Sequence, residues 1–425
     1  MDSGLLAELV IGPATSGRTR WLGPGMTSQL SGSGMINAPI GLGIAGLGMA
    51  GAVMVRAAAA HPGVKLVAAA EPHDAPRAAF LRDFNVAAYA SMEELCADPA
   101  VDAIYIATPH QFHAPHAILA AEHDKHIILE KPMALTLAEC DAIIAAVERA
   151  GVYLLVGHTH AFDPAVRAMR RIAASGELGA LGMIAALNYT NYLYRPRRPE
   201  ELDTARGGGI LFNQVPHQID MVRLVGGGRL RSVRAQVTRL DSARPTEGGL
   251  IAFLEFESSV AASLVYGGYD LFDSDALHFW ISERGADKPP DQHGAARRAL
   301  AARQAADETR LRVEQYAYGS DAGAPPAHQP HFGLMVVTCA RGEMRASADG
   351  LLIYDQNGKH EIDLPKSAAM PGRSEVLDDM IAAIRTGRRP LQNGRWAKAN
   401  VEVSLALLRS ARERREIVLE HQIGI

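Results

Sequence analysis

Two hydrophobic patterns follow each other along the chain. From residue 39 to about residue 128, apolar runs of four to seven residues alternate with alanine-rich stretches that favour helix. This alternation predicts repeated βαβ units and hence a parallel sheet. Beyond residue 180, apolar and polar residues alternate singly, which predicts half-buried strands of an antiparallel sheet.

The singly alternating segments are separated by short turns, which predicts an antiparallel sheet. The predicted strands span residues 183–194, 232–240, 250–256, 259–265, 276–281, 333–338 and 351–354. Two closing helices are predicted, one capped by Ser374 and ending at Gly387, the other over residues 396–414. Residues 284–327 are rich in Ala, Arg, Gln and Pro, and we interpret them as a partly helical insertion and a candidate lid.

A glycine-rich turn joins the first apolar run to the first predicted helix. The run at residues 40–45 leads directly into Gly46-Leu47-Gly48-Met49-Ala50-Gly51. Between a strand and a helix, G-x-G-x-x-G is typical of dinucleotide binding: the first glycine allows the tight turn, the second the approach of the pyrophosphate, the third close helix packing. Gly41, Gly43 and Gly46 fit the same string, but they would need a strand within the polar residues 31–37. We therefore predict a doubly wound parallel sheet of the Rossmann type.

An acidic residue follows the second apolar run. Glu71 ends the run at residues 65–70 and lies twenty residues beyond Gly51. A carboxylate there accepts hydrogen bonds from the adenosine ribose hydroxyls and repels a 2'-phosphate, which favours NAD over NADP. A solvated strand-end carboxylate is the alternative, and Arg77 and Arg82 on the next helix would soften the preference.

Two further strand ends carry polar side chains. The run at residues 101–107 ends in Thr108-Pro109-His110, and the run at residues 126–129 ends in Glu130-Lys131-Pro132. Ligands of open α/β sheets lie at the carboxyl ends of the strands, so both turns are predicted to face the cofactor. A lysine buried there, near a positively charged nicotinamide, would have a lowered pKa and would donate to, or relay a proton from, a substrate hydroxyl.

Together these residues resemble the glucose-fructose oxidoreductase / inositol dehydrogenase / MocA-like (Gfo/Idh/MocA) family of NAD(P)-dependent dehydrogenases, from residue 40 almost to the C-terminus. Beyond the glycine loop and Glu71, the resemblance is carried by Ala107-Thr108-Pro109, His113, Glu130-Lys131-Pro132, Gly207-Gly208-Gly209, His217 and Asp220. It implies a dinucleotide-binding domain over residues 37–158 and a substrate-binding and oligomerisation domain over residues 159–425. The second domain would be of the α+β class, with a large, open, mainly antiparallel sheet through which a homodimer or homotetramer forms. Lys131 and His217 would be catalytic. Cofactor contacts would come from Gly46, Gly48, Met49, Ala50, Gly51, Glu71, Thr108, Pro109, His110, His113, Glu130 and Lys131.

One position departs from the family pattern. Many members have an aspartate four residues before the histidine, where this chain has Asn213. An amide cannot stabilise an imidazolium as a carboxylate does, so His217 should be neutral more readily and able to act as a general base. We therefore predict that Asn213 positions the substrate. A histidine of the helix core is the alternative for His217.

The stretch from residue 188 to residue 198 should border the substrate, and it contains three tyrosines and three arginines. Guanidinium groups bind carboxylates in a bidentate manner, and tyrosines can flank a flat ring. A small, anionic, cyclic substrate therefore fits this lining better than a neutral sugar, although a solvated basic loop is the alternative. The predicted substrate-binding residues are Tyr192, Tyr194, Arg195, Arg198, Asn213 and His217.

Three segments are similar to the branch of this family that contains phthalate 4,5-cis-dihydrodiol dehydrogenases: residues 213–217, the insertion, and His331-Phe332-Gly333-Leu334. The resemblance implies NAD-dependent oxidation of phthalate cis-4,5-dihydrodiol to 4,5-dihydroxyphthalate, with Lys131 as hydrogen-bond donor and proton relay and His217 as general base. A sugar or inositol dehydrogenase of the same family is the alternative. A third hypothesis is an NAD-binding regulatory protein without catalysis, against which Lys131 and His217 argue.

Charge and composition exclude several classes of protein. The 425 residues include 43 Lys and Arg against 47 Asp and Glu, a net charge of -4, so the chain has no overall field that attracts nucleic acid or anionic membranes. No apolar stretch approaches the roughly 18 residues of a membrane span. Cys96, Cys140 and Cys339 lie far apart, which argues against a disulfide framework and fits a reducing cytoplasm.

The histidine clusters and the first 36 residues are two further features of the sequence. Histidines cluster at His110, His113 and His116 and again at His158 and His160, but no carboxylate-rich partner set accompanies them, so no metal site is predicted. Residues 1–36 are rich in Gly, Ser and Pro, and we interpret them as a disordered or misassigned N-terminal tail.

Overall fold

The computed structural model describes residues 38–157, 159–303, 307–320, 326–365 and 372–425. The chain divides into two units, Met1–Ala38 and Pro39–Ile425, and every helix and strand given below belongs to the second. The predicted tail at residues 1–36 lies outside the described residues.

A parallel sheet of six strands forms first along the chain. Its strands are β1 (Ile40–Ala45), β2 (Val64–Ala70), β3 (Ala87–Tyr89), β4 (Ala103–Ile106), β5 (His126–Glu130) and β6 (Leu154–Gly157). They lie in the order β3-β2-β1-β4-β5-β6, and every neighbouring pair is parallel. The order changes direction between β1 and β4, which creates a ligand crevice at the carboxyl ends of these strands. The predicted doubly wound sheet is confirmed.

Side chains of this sheet alternate between two apolar clusters. In β4, Tyr105 belongs to one cluster, whereas Ile104 and Ile106 belong to the other. Because neighbouring residues of a strand point to opposite faces, both faces of the sheet are covered, and the strands therefore read as continuous apolar runs. The connecting helices are α1 (Met49–Ala60), α2 (Asp74–Phe84), α3 (Met92–Ala97), α4 (His113–Glu122) and α5 (Leu137–Ala150).

A second sheet of nine strands follows. Its strands are β7 (Leu181–Tyr189), β8 (Leu230–Thr238), β9 (Gly249–Phe256), β10 (Ala261–Gly267), β11 (Leu334–Cys339), β12 (Gly342–Ala346), β13 (Gly350–Asp355), β14 (Gly358–Asp363) and β15 (Ile417–Val418). They lie in the order β14-β13-β12-β11-β7-β10-β9-β8-β15. Of these pairs, β7 with β10 is parallel and the others are antiparallel. The predicted large, open, mainly antiparallel sheet is confirmed.

The helices of this part are α6 (Pro164–Ser175), α7 (Ile210–Asn213), α8 (Val215–Gly226), α9 (Ala295–Ala301), α10 (Glu308–Tyr316), α11 (Arg373–Thr386) and α12 (Gly394–Glu413). Asp220 joins α8 to α12, because its carboxylate accepts hydrogen bonds from the buried indole of Trp396 at 2.5 Å and from Asn400 at 2.7 Å. This contact fixes the helix that carries His217. Within the described residues, no helix is long and apolar enough to cross a membrane.

Three local predictions are wrong. The predicted strand at residues 276–281 is largely a 3-10 helix, Ser274–His278, because the Asp273 side chain caps its first turn. The predicted strand at residues 183–194 ends at Tyr189, and a 3-10 turn, Tyr192–Tyr194, follows. Ser374 does not cap α11, which begins at Arg373 after Gly372. In each case a short-range pattern is overridden by contacts with residues elsewhere in the fold or by the preceding turn.

Candidate active site

The glycine loop connects β1 to α1 at the crevice. Gly46 has a φ of +88°, and a side chain there would lie 2.8 Å from the Ala107 carbonyl oxygen. A Cβ on Gly51 would lie 1.9 Å from the Gly46 carbonyl oxygen, whereas no heavy atom lies within 4 Å of a Cβ built on Gly48. The loop therefore needs its first and third glycines for its own geometry and leaves open space at the second, as a pyrophosphate cradle requires. Gly41 and Gly43 lie inside β1, so the Gly46 register applies.

The acidic residue after β2 reaches back to this loop. The Glu71 carboxylate accepts hydrogen bonds from the Leu47 backbone N–H at 2.8 Å and from the His73 backbone N–H at 3.1 Å. The side chain is thereby fixed beside the glycine loop, and Glu71, Met49 and Ala50 all line the same cleft. These residues fit the adenosine half of a dinucleotide.

We predict that Glu71→Gln lowers the KM for NADP+ on the order of tenfold and raises the KM for NAD+ severalfold. The amide removes the negative charge that repels a 2'-phosphate, and it accepts hydrogen bonds from the ribose less well. Steady-state kinetics with both cofactors measure the change. Glu122→Gln is the matched control, because Glu122 is exposed at the end of α4 and is not among the described residues that line the cleft. An unchanged NADP+ KM in Glu71→Gln would refute this role.

The turn after β4 is held by two histidine side chains. The His110 ring donates from Nδ1 to the Gly207 carbonyl at 3.0 Å, and burial, with His113 and Lys131 nearby, lowers the pKa of His110 to about 3. His113 is fully buried, with Nδ1 2.7 Å from the Pro132 carbonyl oxygen and Nε2 2.9 Å from the Thr108 carbonyl oxygen. His113 thus holds together the two strand-end turns. Thr108, Pro109 and His110 line the cleft.

Glu130 and Lys131 end β5 at the centre of the cleft. Burial would raise the pKa of Glu130, but Arg373 and Lys131 outweigh that effect, and the pKa is lowered. Arg373 donates to Glu130 at 2.7 Å, and the Tyr105 hydroxyl also bonds this carboxylate. Glu130 is therefore an anion that anchors the turn rather than a free acid or base.

Lys131 follows the last residue of β5 and lines the cleft. Its Nζ donates to the Asn213 backbone carbonyl at 2.5 Å. Burial lowers its pKa to about 8, with Glu130 and Glu283 opposing the shift. A group with this pKa exchanges protons readily near neutral pH, as a relay must.

The Gly207–Gly209 turn, α7 and the start of α8 carry the second half of the site. The Asn213 side-chain amide donates to the carbonyls of Gly207 at 3.2 Å and Gly209 at 2.8 Å. This side chain therefore braces the glycine turn, while its own carbonyl receives Lys131. His217 lies in the cleft with its ring 5.0 Å from the ring of Phe332. The structure thus brings Lys131, Asn213 and His217 into one cleft.

A charged cluster of His160, Asp163 and Glu283 adjoins His217, and of these three residues sequence patterns pointed only to His160, in the second histidine cluster. His160 has its ring 4.9 Å from the His217 ring, Nδ1 2.8 Å from Asp163, and Nε2 3.2 Å from Glu283. Burial would lower the pKa of His160, but the two carboxylates raise it to about 9, so it is an imidazolium at neutral pH. Glu283 lies 123 residues away in sequence, so no local pattern relates it to His160.

The Tyr- and Arg-rich stretch divides between the cleft and its surroundings. Tyr192, Arg195 and Arg198 line the cleft, but Tyr192 is fully buried under Arg197, whose guanidinium carbon lies 3.9 Å from the ring centroid. Tyr194 is not among the described residues that line it. The Tyr194 hydroxyl donates to Asp241 at 2.5 Å and also bonds Arg297. The structure therefore does not bring Tyr194 to the other predicted substrate residues.

The insertion forms one wall of the cleft. Glu308 accepts from both terminal nitrogens of Arg244 at 2.9 and 2.8 Å, which ties α10 to the loop between β8 and β9. At its other end, the Tyr318 N–H donates to the Leu47 carbonyl of the glycine loop at 2.8 Å. Lining residues from α10 and the turn after it are Thr309, Arg312, Val313, Tyr316 and Ala317.

We predict that Tyr318→Ala raises the Kd for NAD+ by about tenfold. The Tyr318 ring lies 5.9 Å from Phe80 and 6.1 Å from Phe84 of α2, and losing these aromatic contacts, together about 1.4 kcal/mol, loosens the segment whose backbone bonds the glycine loop. Fluorescence titration measures the affinity. Tyr318→Phe keeps the ring and should bind NAD+ as the natural protein does; equal binding by Tyr318→Ala would contradict the prediction.

The whole cleft has a volume of about 1290 Å³, enough for a dinucleotide and a small substrate together. Among the described residues, no group of three or more His, Cys, Asp or Glu side chains is arranged to hold a metal ion. His158 of the second histidine cluster lies outside the described residues.

Comparisons with known proteins agree with this geometry. Residues 40–158 match the family model "Oxidoreductase family, NAD-binding Rossmann fold", and residues 166–278 match the "GFO/IDH/MocA C-terminal domain". A relative from Comamonas testosteroni, 1-carboxy-3-chloro-3,4-dihydroxycyclohexa-1,5-diene dehydrogenase, is 37% identical over 380 residues, which cover 86% of this chain and 94% of the relative.

Solved structures share the fold over nearly the whole chain. A structure from Bordetella bronchiseptica RB50 is 43% identical with a TM-score of 0.86, covering 90% of this chain and 100% of that one. Levoglucosan dehydrogenase, solved with NADH and levoglucosan, shares the fold at 17% identity and a TM-score of 0.68, covering 90% of this chain and all of its own. The glycine loop, the Lys131 turn and both matching domains lead to one conclusion: the chain belongs to the Gfo/Idh/MocA family and is an NAD-binding dehydrogenase.

Proposed function

We propose that this dehydrogenase oxidises a secondary alcohol of a small, carboxylated, cyclic cis-diol, with phthalate cis-4,5-dihydrodiol as the best candidate substrate and 4,5-dihydroxyphthalate as the product. The observation that carries the proposal is the meeting of Lys131 and His217 in the cleft that holds the glycine loop. Bound NAD+ supplies the hydride acceptor.

The proposed proton path uses both residues. Lys131 donates a hydrogen bond to the carbinol oxygen and relays its proton, and His217 takes that proton as general base. The carbinol C–H bond breaks with its electron pair leaving as hydride, and a C=O bond forms. The resulting hydroxydienone tautomerises to the catechol, so diol and NAD+ become dihydroxyarene, NADH and a proton. Aromatisation makes this direction favourable.

The proposed anionic substrate is supported by cations in the cleft. Arg195 and Arg198 line it, and Arg195 donates from Nε to Asn191 at 2.6 Å, which orients the guanidinium group. Among the described residues, no carboxylate lies within ion-pair distance of Arg195, although Glu283 acts on it electrostatically. A substrate carboxylate would complete this arrangement. The name of the Comamonas testosteroni relative describes a carboxylated cyclohexadiene diol, which supports the same class of substrate.

The test is the initial rate of NADH formation with purified protein, NAD+ and phthalate cis-4,5-dihydrodiol, with inositol and glucose run in parallel. We expect turnover with the dihydrodiol alone. Turnover confined to inositol or glucose would refute the carboxylated substrate and favour the sugar or inositol dehydrogenase. NAD+ binding without turnover of any compound would favour the regulatory protein.

We also propose that the chain forms a homodimer or homotetramer through the outer face of the nine-stranded sheet, in a reducing cytoplasm. Met183, Ile251 and Phe253 are at least half exposed on this face, and Cys96, Cys140 and Cys339 are buried free thiols.

We predict that the double substitution Ile251→Glu and Phe253→Glu shifts the protein to monomers in analytical ultracentrifugation. At such an interface the new carboxylates of one subunit would face those of its partner without water between them, and like charges repel. Leu271→Glu, an exposed apolar residue outside the strands, is the control.

A further inference from the structure

Glu283 is a charged residue of the cleft that the proposed proton path does not use. A tight turn presents it: the Ser282 N–H donates to the Ala286 carbonyl, and the Gly285 N–H donates to the Ser282 carbonyl, each at 2.8 Å. Gly285 has a φ of +82°, and a Cβ there would lie 2.2 Å from the His328 carbonyl oxygen. The backbone that carries Glu283 is therefore rigidly placed.

The Glu283 carboxylate faces the open cleft. Its side chain is 36% exposed, although it sits among buried groups, because the space in front of it is the cleft itself. Among the described residues, one side chain donates to it, His160 through Nε2 at 3.2 Å. A carboxylate has about four lone-pair positions, so it retains acceptor capacity toward a ligand.

The surrounding charge restricts what that ligand group is. Lys131, Arg195, Arg284 and Arg373 all interact electrostatically with Glu283. A cationic ligand group would be repelled by these four residues, and an anionic one by Glu283 itself. A neutral hydrogen-bond donor fits best, and a hydroxyl is the simplest such group.

His160 relates this position to the reacting centre. Its ring lies 4.9 Å from the ring of His217 and donates to Glu283 on its Nε2 side. Asp163 fixes the opposite ring nitrogen at 2.8 Å, so His160 is a positioning residue for the carboxylate. Through His160, Glu283 therefore belongs to the same group of side chains in the cleft as His217, the proposed base.

We infer that Glu283 binds the second hydroxyl of the substrate diol, the one adjacent to the carbinol that is oxidised. This inference rests on the proposed oxidation of a cyclic diol, and it makes Glu283 the residue that distinguishes vicinal diols from simple alcohols. A site built to bond a hydroxyl disfavours a ligand that lacks it.

The experiment measures binding rather than turnover. Titration calorimetry of the protein–NADH complex with 4,5-dihydroxyphthalate and 4-hydroxyphthalate gives the preference for two hydroxyls over one. We expect a preference of about 10- to 100-fold, as for a hydrogen bond to a charged group. In Glu283→Gln this preference should fall close to one. Glu314→Gln, an exposed carboxylate of α10 that pairs with Arg310, should retain it.

A second pair of ligands separates this inference from the proposed substrate. The same proteins are titrated with cis-1,2-cyclohexanediol and cyclohexanol, which carry no carboxylate. If only this pair binds and Glu283→Gln loses the diol preference, the role of Glu283 stands and the carboxylated substrate is wrong. If Glu283→Gln still prefers the diol over the alcohol in the pair that binds, the proposed role of Glu283 is wrong. If the natural protein binds none of the four ligands, both the role of Glu283 and the proposed substrate class are wrong.

NADH affinity and the melting temperature of each variant report on folding. Should Glu283→Gln fail to bind NADH, Glu283→Asp carries the same test, because it keeps the charge and withdraws it by one methylene. We expect Glu283→Asp to lose most of the diol preference, and full retention would count against the inference.

Discussion

Replacement of Lys131 by methionine is expected to lower kcat by about 100- to 10,000-fold, the usual range for loss of a proton-transfer group. Methionine fills the same volume but cannot donate to the carbinol oxygen. The Lys131 Nζ lies 2.5 Å from the Asn213 carbonyl, so its position depends on the β5 turn and on α7 together. Steady-state kinetics with the proposed dihydrodiol substrate measure the loss.

The pH dependence of kcat/KM provides a second readout for Lys131. Burial lowers its pKa to about 8, so a relay that must accept a proton becomes active as the pH rises through that value. We expect activity to increase up to about pH 8 and then level off, and Lys131→Met to lose this inflection. An unchanged profile in Lys131→Met would assign the titration to another group.

Lys125→Met is the matched control for both measurements. Lys125 precedes β5, whereas Lys131 follows it, and its Nζ donates to the carbonyls of Asp98 at 3.0 Å and Val101 at 2.8 Å. Its removal should reduce stability and leave kcat unchanged, because it lies at the opposite edge of the sheet from the cleft. Equal losses of kcat in the two variants would indicate a structural cause.

His217→Ala is expected to lower kcat by about 100- to 10,000-fold, equivalent to roughly 3 to 5 kcal/mol of barrier, with NAD+ affinity retained. The ring faces the cleft and packs against Phe332 at 5.0 Å, so its loss removes the proposed base and leaves a small space in the cleft wall. Kinetics and NAD+ titration on the same sample separate chemistry from binding.

Added imidazole distinguishes a base from a packing residue. Free imidazole that enters the space left by His217→Ala should restore part of the activity, with a dependence on the concentration of the neutral form. His126→Gln is the control, because His126 lies at the amino end of β5 and accepts from the Tyr153 N–H at 3.1 Å. Full activity of His217→Ala without imidazole would remove the base from His217.

Sequence patterns located those site residues that lie in the turn directly after a predicted strand. The glycine loop, Glu71 and Lys131 each follow directly from a buried strand, and parallel strands bring their carboxyl ends to the same edge. Their convergence can therefore be predicted from the order of strands and turns alone. The strands of the antiparallel sheet were also predictable from local sequence, because the alternation of apolar and polar residues identifies one strand at a time.

Tertiary structure decided which distant residues meet. Glu283 reaches His160 across 123 residues, and Arg373 reaches Glu130 across 243. Tyr194 turns away from the cleft because Asp241 and Arg297 bind its hydroxyl. The sequence by itself determined the fold class, the cofactor loop and the position of Lys131, because local spacing encodes them. The charged cluster around His217 and the wall formed by the insertion were decided by packing between distant segments, which no local spacing encodes.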